Sequence, residues 1–491
     1  MNPRTRALLG RHCLPVTALS LTLALTFLPG SVLAVEEEEE GLAEPETTAD
    51  NPFWDQASAG YTFRAAYFER TSDGDAPALP AFTQEGAGVG GWLYGTTGEF
   101  ANFLSFGGSY FFTLPLYAPE DYPYNFILRD PDQLGYSVIG EAYAKLHFQG
   151  EGQNHNLVIG RQSINNQWFM DGVYRFFNKL DHSMIGRRDV RAMHPITYEA
   201  VTLQGRLLDE SLRYYAGYVT DMKQINDIEF RNLYQGVYQL TTWPSADKQG
   251  DSDGMAYFQI NWKPNDRTMI SASYHEVQNL LNMAYLDVDH VIPLQEQNYF
   301  RLGVQGMYQD SNGDSLVSGS NGQPGEDFST AYAGIYLEAR PFPWWIPYGM
   351  AGLTSERAQI RSPYSIGPSY LIQRVGENSL AGEHTWILGS VIDFDSWGLQ
   401  GLSFDITYGQ RTHRNVDGNA DLPMADWNEV ATDLIYIFPK EGFFKNLRAR
   451  ARYAKVWQDG DQWVGSTNSI QDVNASIEDL RFDITLNIPF F

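Results

Sequence analysis

The feature that most constrains the fold is an alternation of apolar and polar residues in segments of about ten residues. Residues 480–488 carry Leu, Phe, Ile, Leu and Ile at the even positions and Arg, Asp, Thr and Asn at the odd positions. Residues 255–263, 300–309 and 447–453 repeat the scheme. Because successive side chains of a β-strand point to opposite faces, each segment is predicted to be a strand with one apolar face and one polar face.

The number and the connections of these segments favour a closed membrane barrel over a soluble β-sandwich. There are about 18 segments, more than an open twisted sheet usually holds. Short and long connections alternate, and aromatic residues gather near segment ends, as in outer-membrane barrels. The short connections are residues 208–211, 264–266, 341–345, 395–400 and 439–445, and the long ones are residues 115–135, 163–196, 221–254, 310–327, 355–382, 411–426 and 459–477. The predicted fold is all-β: a transmembrane antiparallel up-and-down β-barrel of about 18 strands, with long extracellular loops and short periplasmic turns.

Composition divides the chain into three segments. Residues 1–34 combine three arginines, an apolar run and small residues at the end, which is typical of a secretory signal peptide. Residues 35–58 are rich in Glu and are predicted to be an acidic disordered tether. Residues 59–491 are predicted to form the transmembrane barrel. The single cysteine, Cys13, lies in the signal peptide, so the exported chain has no disulfide and no thiolate metal site.

The charge balance excludes some classes of partner. The sequence has 34 Lys and Arg against 60 Asp and Glu, a formal net charge of −26 at pH 7. Nucleic acid requires a net basic face and is therefore not an expected partner. Acidic residues gather in three long loops, where solvated turns explain them better than a divalent cation site does. Neither a metal nor a cofactor is expected.

A run of arginines on one predicted strand is the main indication of function. Arg448, Arg450 and Arg452 alternate with Leu and Ala, and on a lipid-facing side each would cost roughly 2–4 kcal/mol near the membrane midplane. They are therefore predicted to face the lumen and to form a basic stripe. The same parity argument places four further arginines inside the barrel: Arg64, Arg206, Arg301 and Arg481.

Two interpretations of this stripe stay open at this point. The arginines could form an electrostatic track for anions, because guanidinium stays charged and grips carboxylates in a fork geometry. Alternatively, each arginine could pair with an inward-facing acid and merely brace the wall. The inward-facing acids predicted by parity are Glu141, Glu338, Asp405 and Asp483.

A lumen enclosed by about 18 strands is too wide to select small solutes unless something narrows it. The long loops 163–196 and 355–382 are candidates to fold inward and form a constriction. The first contains a cluster of aromatic residues, followed by a charged end that would filter solutes. The charged residues of this constriction loop are Arg187, Arg188, Asp189 and Arg191.

Several phrases of the sequence resemble the OprD family of outer-membrane porins, also called outer-membrane carboxylate channels. They are residues 140–146, 160–162, 189–200, 216–220 with Lys223, 382–383 with Trp386, 393–394 and 398–402. The resemblance implies an 18-stranded barrel, a narrow eyelet made by inward loops, and a basic ladder that passes small carboxylate-bearing nutrients. It also implies that Arg161 belongs to this ladder, together with the strand that carries Arg448, Arg450 and Arg452.

The predicted function is that of a porin in the outer membrane of a Gram-negative bacterium, passing small anionic or carboxylate-bearing solutes passively. Expected partners are outer-membrane lipid and lipopolysaccharide, the anionic solute, and the outer-membrane assembly machinery, which would contact the C-terminal strand. Monomer and homo-oligomer both stay open.

Two other functions are the alternatives. A transporter for hydrophobic compounds would favour an apolar lumen and a folded N-terminal plug, whereas polar inner faces are predicted. A barrel hydrolase would need a nucleophile beside a histidine and its orienting acid. The candidate histidines are predicted to lie in loops, so no enzymatic activity is expected; they are His182, His194, His290 and His413.

Overall fold

The structure is a computed structural model, and the residues that it describes all lie within one unit of the chain, residues 50–491. The described residues are 52–76, 79–119, 127–128, 134–150, 153–164, 193–209, 211–234, 252–294, 298–316, 327–361, 370–376, 379–416, 418–439, 444–464 and 469–490. The predicted signal peptide and most of the predicted tether lie outside them.

The described residues form 21 strands in chain order. They are β1 (Ser58–Ala76), β2 (Leu79–Thr96), β3 (Leu104–Tyr117), β4 (Tyr136–Gly150), β5 (Gln153–Gln162), β6 (Thr197–Leu207), β7 (Leu212–Lys223), β8 (Arg231–Asn232), β9 (Met255–Asn265), β10 (Thr268–Val277), β11 (Leu281–Pro293), β12 (Tyr299–Ser311), β13 (Ser329–Arg340), β14 (Trp345–Thr354), β15 (His384–Asp393), β16 (Leu402–Thr412), β17 (Arg414–Val416), β18 (Asn419–Met424), β19 (Asp426–Ile437), β20 (Leu447–Val464) and β21 (Ser469–Pro489).

Helical structure is slight in the described part of the chain. A one-turn helix, α1 (Pro52–Asp55), precedes β1, and a 3₁₀ turn (Asp395–Trp397) connects β15 to β16. The carbonyl of Phe53 accepts a hydrogen bond from the Gly98 amide at 2.9 Å, so this end of the predicted disordered tether is ordered against the barrel. Neither helical segment has the length and hydropathy that a membrane-spanning helix needs.

The main sheet closes on itself. Its strands are antiparallel and pair in chain order, and the last strand, β21, pairs with the first, β1, so that Gly60 lies opposite Pro489. The two-residue strand β8 adds only to the end of β7, and β17 and β18 form a separate hairpin. Eighteen strands therefore build the barrel, and the predicted all-β transmembrane fold is confirmed. Closure leaves no unpaired strand edge, which is what a sheet in lipid requires.

The two rims of the barrel differ as predicted in most places. The rim where β1 begins and β21 ends, here called the terminal rim, carries the short turns after β4, β6, β9 and β13. The opposite rim, here called the loop rim, carries long connections such as the one between β14 and β15. At the terminal rim, Phe342, Trp344 and Trp345 stack on one another, and Trp397 lies 5.5 Å from Trp344. Such aromatic groups are typical of the membrane interface.

One predicted long loop is wrong. Residues 459–477 were expected to form a connection, but β20 continues to Val464 and β21 starts at Ser469. In this part the apolar alternation has ended while the strand pairing continues, for example between Asp461 and Asp472. The polar outer face indicates that the two strands extend beyond the lipid, and the sequence pattern therefore missed them.

Side-chain orientation in the barrel wall follows the predicted alternation. On β21, Phe482 and Ile484 are 47% and 43% exposed on the outer surface, whereas Arg481 and Asp483 are buried on the inner side. Phe258 and Trp262 on β9 and Leu302 on β12 likewise face outward. The cost of placing charge in lipid explains why the charged positions share the inner face.

The interior, however, is less polar than the alternation predicts. A buried apolar cluster lies inside the wall formed by β6–β15, and methionine and tyrosine residues dominate it. It includes Met222, Met255, Met283, Met307, Met350, Tyr198, Tyr257, Tyr285, Tyr332, Tyr336 and Tyr348. The prediction of uniformly polar inner faces is corrected, because chain segments fold into the barrel and give these residues apolar partners such as Leu371 and Leu233.

Gly91 is required where three strands approach closely. Its φ is +131°, a conformation that other residues rarely adopt, and a Cβ atom there would lie 1.7 Å from the carbonyl oxygen of Thr62. Replacement of Gly91 by alanine is expected to lower the free energy of unfolding by about 1–3 kcal/mol, measured by guanidinium unfolding in detergent micelles. Gly95→Ala is the matched control, because its Cβ would meet no atom closer than 3.6 Å. Equal stability of the two variants would contradict this account.

Candidate functional site

Two chain segments lie inside the barrel and define the candidate site. The first is the described end of the predicted constriction loop 163–196. Met193 is fully buried against Ala66 and Phe68 on the inner side of β1. Because β1 is five strands away from β6 in the sheet, this end of the loop runs along the inner wall from β6 toward β1.

His194 fixes the same segment to β3. Its Nε2 atom lies 2.8 Å from the Thr113 hydroxyl, and its ring stacks on Phe111 with 5.0 Å between the centroids. Burial, then the neighbouring cations Lys223 and Arg64, hold the pKa of His194 well below its ordinary value. The imidazole is therefore a neutral packing group.

The second inward segment is residues 370–376, part of the other predicted constriction loop. The carboxylate of Glu429 on β19 accepts hydrogen bonds from the backbone amides of Arg374, Val375 and Gly376 at 2.7, 3.0 and 2.8 Å. Arg411 on β16 donates to the carbonyl oxygens of Leu371 and Gly376 at 3.2 and 3.0 Å. Hydrogen bonds to charged groups are the strong ones, so these two side chains hold the segment against the inner wall.

Tyr370 anchors the beginning of this segment to a different part of the inner wall, four to six strands away from β16 and β19. Its hydroxyl donates to Asp287 on β11 at 2.5 Å, and its amide donates to Gln305 on β12 at 2.9 Å. Burial and the Asp287 carboxylate raise the pKa of Tyr370 well above its ordinary value, so the phenol stays protonated and acts as a donor. Residues 370–376 therefore extend from β11 and β12 to β19.

Arg374 brings the inward segment into contact with the predicted basic stripe. Its guanidinium lies 2.9 Å from Asp433 on β19 and 3.5 Å from Asp405 on β16. Asp433 also accepts hydrogen bonds from Arg450 at 2.7 Å and from Arg452 at 3.2 Å. One buried carboxylate is thus shared by three buried guanidinium groups.

Further ion pairs continue this arrangement on β21 and β1. Asp479 accepts from Arg481 at 2.6 Å and from Arg70 at 2.7 Å. Arg448 lies 3.9 Å from Asp483. We call the inner faces of β19, β20, β21 and β1, together with residues 370–376, the basic wall.

The basic wall carries an excess of positive charge. Its described inward-facing residues include seven arginines and four acids. The arginines are Arg64, Arg70, Arg374, Arg448, Arg450, Arg452 and Arg481, and the acids are Glu429, Asp433, Asp479 and Asp483. Among the ion-paired arginines of the basic wall, Arg448 is the most exposed, with 25% of its side chain accessible, whereas Arg450 and Arg452 are almost fully buried.

The remaining predicted ladder residues lie in different surroundings. Arg301 is fully buried, pairs with Asp289 at 2.6 Å, and lies over the ring of Tyr336. Arg206 is half-buried on the inner face of β6, away from the basic wall. The four charged residues of the predicted constriction loop lie outside the described residues: Arg187, Arg188, Asp189 and Arg191.

Arg161, which only the resemblance suggested as a ladder residue, does not face the lumen. It has the same parity as Ile159, which is exposed on the outer surface. Its guanidinium pairs with Glu199 at 2.9 Å and stacks over Phe230, and 39% of the side chain is exposed. The strand alternation places Arg161 on the outside, and the implied ladder position is corrected.

Several site residues were missed from the sequence. Asp433 and Glu429 share the inner face of β19 with Trp427, Ala431 and Ile435, so no clean alternation marked that face. Arg374 lies in a loop, where no periodicity exists to signal its direction. Asp479 is different, because its parity with Arg481 would have identified it.

The described residues show no arrangement typical of a hydrolase. Ser252 lies in a Gly-Asp-Ser-Asp-Gly sequence, the spacing of a nucleophile elbow, but a strand, β9, follows it instead of the helix that the elbow requires. Its hydroxyl donates to the carbonyl of Gln278 at 2.7 Å. His290, predicted to lie in a loop, is on β11 and lies 2.9 Å from Thr268. In the same part of the chain, no group of three or more potential metal ligands occurs.

The sequence profile of the OprD family of outer membrane porins matches residues 182–481. No curated protein matches the sequence significantly.

Solved structures share the fold at low sequence identity. Pseudomonas aeruginosa OccK9 (OpdG) is 17% identical, with a TM-score of 0.68 over 89% of this chain and 100% of its own. P. aeruginosa OpdK with vanillate is 15% identical, with a TM-score of 0.67 and the same coverage. P. aeruginosa OccK2 (OpdF) in complex with glucuronate is 17% identical, with a TM-score of 0.62 over 89% of this chain and 100% of its own.

The family profile covers more than half of the chain, and the closed barrel of 18 strands has the architecture of these porins. The predicted family and the predicted location in the outer membrane are both confirmed. This chain belongs to the OprD family of outer membrane porins, channels of the Gram-negative outer membrane through which small solutes pass.

Proposed function

We propose that this porin passes small anionic solutes, in particular solutes that bear a carboxylate, and that the basic wall sets this preference. The observation that carries the proposal is the group of three arginines, Arg374, Arg450 and Arg452, around the single carboxylate of Asp433. With Asp405 included, the group still has one positive charge in excess. Guanidinium keeps that charge at every relevant pH.

The arginines of the basic wall act in two ways. Arg448 and Arg70 are accessible enough to contact a solute directly. Each also pairs with a carboxylate of the wall, Asp483 and Asp479 respectively, which competes with the carboxylate of the solute. Arg450, Arg452, Arg481 and Arg64 are nearly fully buried, and their excess charge raises the local concentration of anions through the field they create. Contacts that are individually weak suit conduction, because an anion must leave each position as readily as it enters.

Arg301 stabilises the barrel wall at β11 and β12, outside the basic wall, and is not proposed to contact the solute. It is paired with Asp289, and both side chains are inaccessible. The charged residues at positions 187–191, which lie outside the described part of the chain, belong to the same long loop as the inward residues Met193 and His194. We propose that Arg187, Arg188, Asp189 and Arg191 contribute to the constriction.

Two solved relatives support the solute class. One was determined with vanillate and another in complex with glucuronate, and both ligands are carboxylates. The apolar cluster inside β6–β15 is the observation that would favour the alternative, a transporter for hydrophobic compounds. The side chains of this cluster are buried against one another, so they offer no exposed apolar path within the described residues.

Removing the accessible charge should reduce anion preference. Arg448→Gln is expected to lower the anion-to-cation permeability ratio by about threefold, because a unit charge about 7 Å from an ion in water contributes that much. The ratio is measured from the reversal potential across a planar bilayer in a salt gradient. Lys455→Gln is the matched control on the same strand, since Lys455 faces outward and pairs with Glu478. A folded Arg448→Gln channel with the native ratio would contradict the proposal.

A further inference from the structure

Two histidine side chains meet on the outer surface of the barrel at the loop rim. His384 is the first residue of β15, and His413 follows the last residue of β16. Both residues are exposed, and their ring centroids lie 4.7 Å apart with an angle of 35° between the ring planes. The two residues are distant in the sequence, and the pairing of β15 with β16 brings them together. We call them the histidine pair.

An unusual backbone conformation places His413 beside His384. Arg411 on β16 faces the lumen, so a strand that continued in the same way would direct residue 413 into the lumen as well. His413 instead has a φ of +59°, a left-handed conformation that is uncommon for residues other than glycine. The chain turns there, and the ring lies on the outer face. Such conformations cluster at functional sites, which directs attention to the pair.

The distance between the two rings fits a shared metal ion. Imidazole nitrogen is a preferred ligand of Zn²⁺, and each nitrogen lies about 2.0–2.1 Å from the ion. With an angle of about 90–110° at the metal, two such rings have centroids about 4.5–5.2 Å apart. The separation of 4.7 Å in the histidine pair lies within this range.

Neighbouring groups favour a cation at this position. The Thr412 hydroxyl lies 2.9 Å from Nδ1 of His413, so Nε2 is the nitrogen that a metal would use. Contacts of this kind fix the orientation of metal-bound histidines. The carboxylate of Asp426, at the start of β19, lies close enough to His413 to interact with it electrostatically. Arg414 also lies near Asp426, but its own charge is paired with Glu383.

The histidine pair lies on the polar side of the membrane interface. Two residues from His384 on the same face, the Trp386 indole donates a hydrogen bond to Gln410 at 3.2 Å. Its ring also packs against Tyr408, with 5.4 Å between the centroids. Aromatic side chains of this kind are typical of the membrane interface. A metal ion in the medium outside the loop rim can therefore reach the pair.

The pair joins two parts of the chain that are also connected on the inner side of the barrel. Glu383 precedes His384, and its carboxylate lies 3.3 Å from Arg411 and 3.7 Å from Arg414. Glu383 follows the inward loop 355–382, whereas Arg414 begins the hairpin of β17 and β18. A metal ion held by the pair would add a second connection at this point, on the outer side.

We propose that His384 and His413 bind one zinc ion, with water completing its coordination, and that the bound ion fastens the end of the inward loop to the β17–β18 hairpin. The protein supplies two ligands, fewer than a permanent structural zinc site has, so the ion exchanges with the medium. No metal was expected from the sequence, in which the two histidines are far apart. This inference does not depend on the proposed passage of anions.

Isothermal titration calorimetry with ZnCl₂ tests the site, using the exported chain without a histidine tag in detergent micelles. The native protein is expected to bind one zinc ion. In His384→Gln and in His413→Gln the dissociation constant should rise by about tenfold or more, since even the loss of a group that only orients a ligand costs about 10–100-fold. His290→Gln is the matched control, because the Thr268 hydroxyl lies 2.9 Å from its Nδ1, the same contact that Thr412 makes with His413.

Thermal unfolding, followed by heat-modifiable mobility in gels, tests the fastening and shows that each variant is folded. Zinc should raise the midpoint temperature of the native protein and of His290→Gln but not of His413→Gln. MgCl₂ should leave all three unchanged, because Mg²⁺ prefers oxygen ligands. Absence of zinc binding in the native protein, or native affinity in a folded His384→Gln/His413→Gln variant, would overturn the site. Zinc binding without a rise in the midpoint would overturn the fastening.

Discussion

Replacement of Asp433 by asparagine is expected to lower the free energy of unfolding by about 3–5 kcal/mol. Asp433 is the shared partner of Arg374, Arg450 and Arg452, and all three guanidinium groups are buried. Asparagine fills the same space but removes the negative charge, which leaves three buried cations with Asp405 as the remaining carboxylate. Guanidinium unfolding in detergent micelles, followed by heat-modifiable mobility, gives the measurement.

Asp461→Asn is the control for this experiment. Asp461 is exposed on the outer face of β20, opposite Asp472, so the same substitution there removes a like-charge contact and no buried partner. Its unfolding curve should match the native one or shift slightly toward higher stability. If Asp433→Asn behaved like Asp461→Asn, the shared carboxylate would not hold the basic wall together.

Replacement of Glu429 by glutamine is expected to release residues 370–376 from the wall and to raise the single-channel conductance. Three backbone amides and the Arg411 guanidinium at 3.9 Å surround the Glu429 carboxylate. Glutamine offers one oxygen and one donor in place of two charged oxygens, so at least one amide loses its acceptor. The loss of about 3 kcal/mol shifts a two-state docking equilibrium by more than a hundredfold.

The conductance of single channels in planar bilayers measures this release. Glu478→Gln is the matched control, because Glu478 is exposed on the outer face of β21, away from the lumen, and pairs with Lys455. Frequent current steps to a higher level in Glu429→Gln, and none in the control, are the expected result. A native conductance in a folded Glu429→Gln barrel would show that the segment is held by other contacts, for instance those of Tyr370.

The variants Asp433→Asn and Glu429→Gln test two different roles. The first tests how the basic wall is stabilised, and the second tests how the lumen is narrowed. Asp433 joins the inward segment to the arginines of β20, whereas Glu429 holds the backbone of the segment itself. The first is therefore expected to affect mainly stability and the second mainly conductance. The different outcomes follow from where the lost hydrogen bonds lie.

The direction of most charged side chains could be predicted from the sequence. Arg450, Arg452 and Arg481 alternate with apolar residues on strands that cross lipid, and the structure shows all three on the inner side. The alternation failed at Asp433, because apolar and charged residues share the inner face of β19. The alternation also failed in the apolar cluster of β6–β15. There, chain segments inside the barrel pack against the inner face, so apolar side chains on that face are buried and not exposed to water.

The partners of these charged residues could not be predicted. Arg374 contacts Asp433, and Arg70 contacts Asp479, although each pair is far apart in the sequence. Such contacts depend on the register in which the barrel closes and on the path of the loops through the lumen. Neither is encoded in a local pattern.

The sequence by itself determined that this chain is a barrel in a membrane and which faces of its strands meet lipid and water. That information is local, since backbone geometry fixes the alternation and the cost of charge in lipid fixes its direction. Only the tertiary structure decided which arginines are neutralised, which remain accessible, and which loop residues enter the lumen. Those properties arise from contacts between distant segments, and the closed barrel alone brings those segments together.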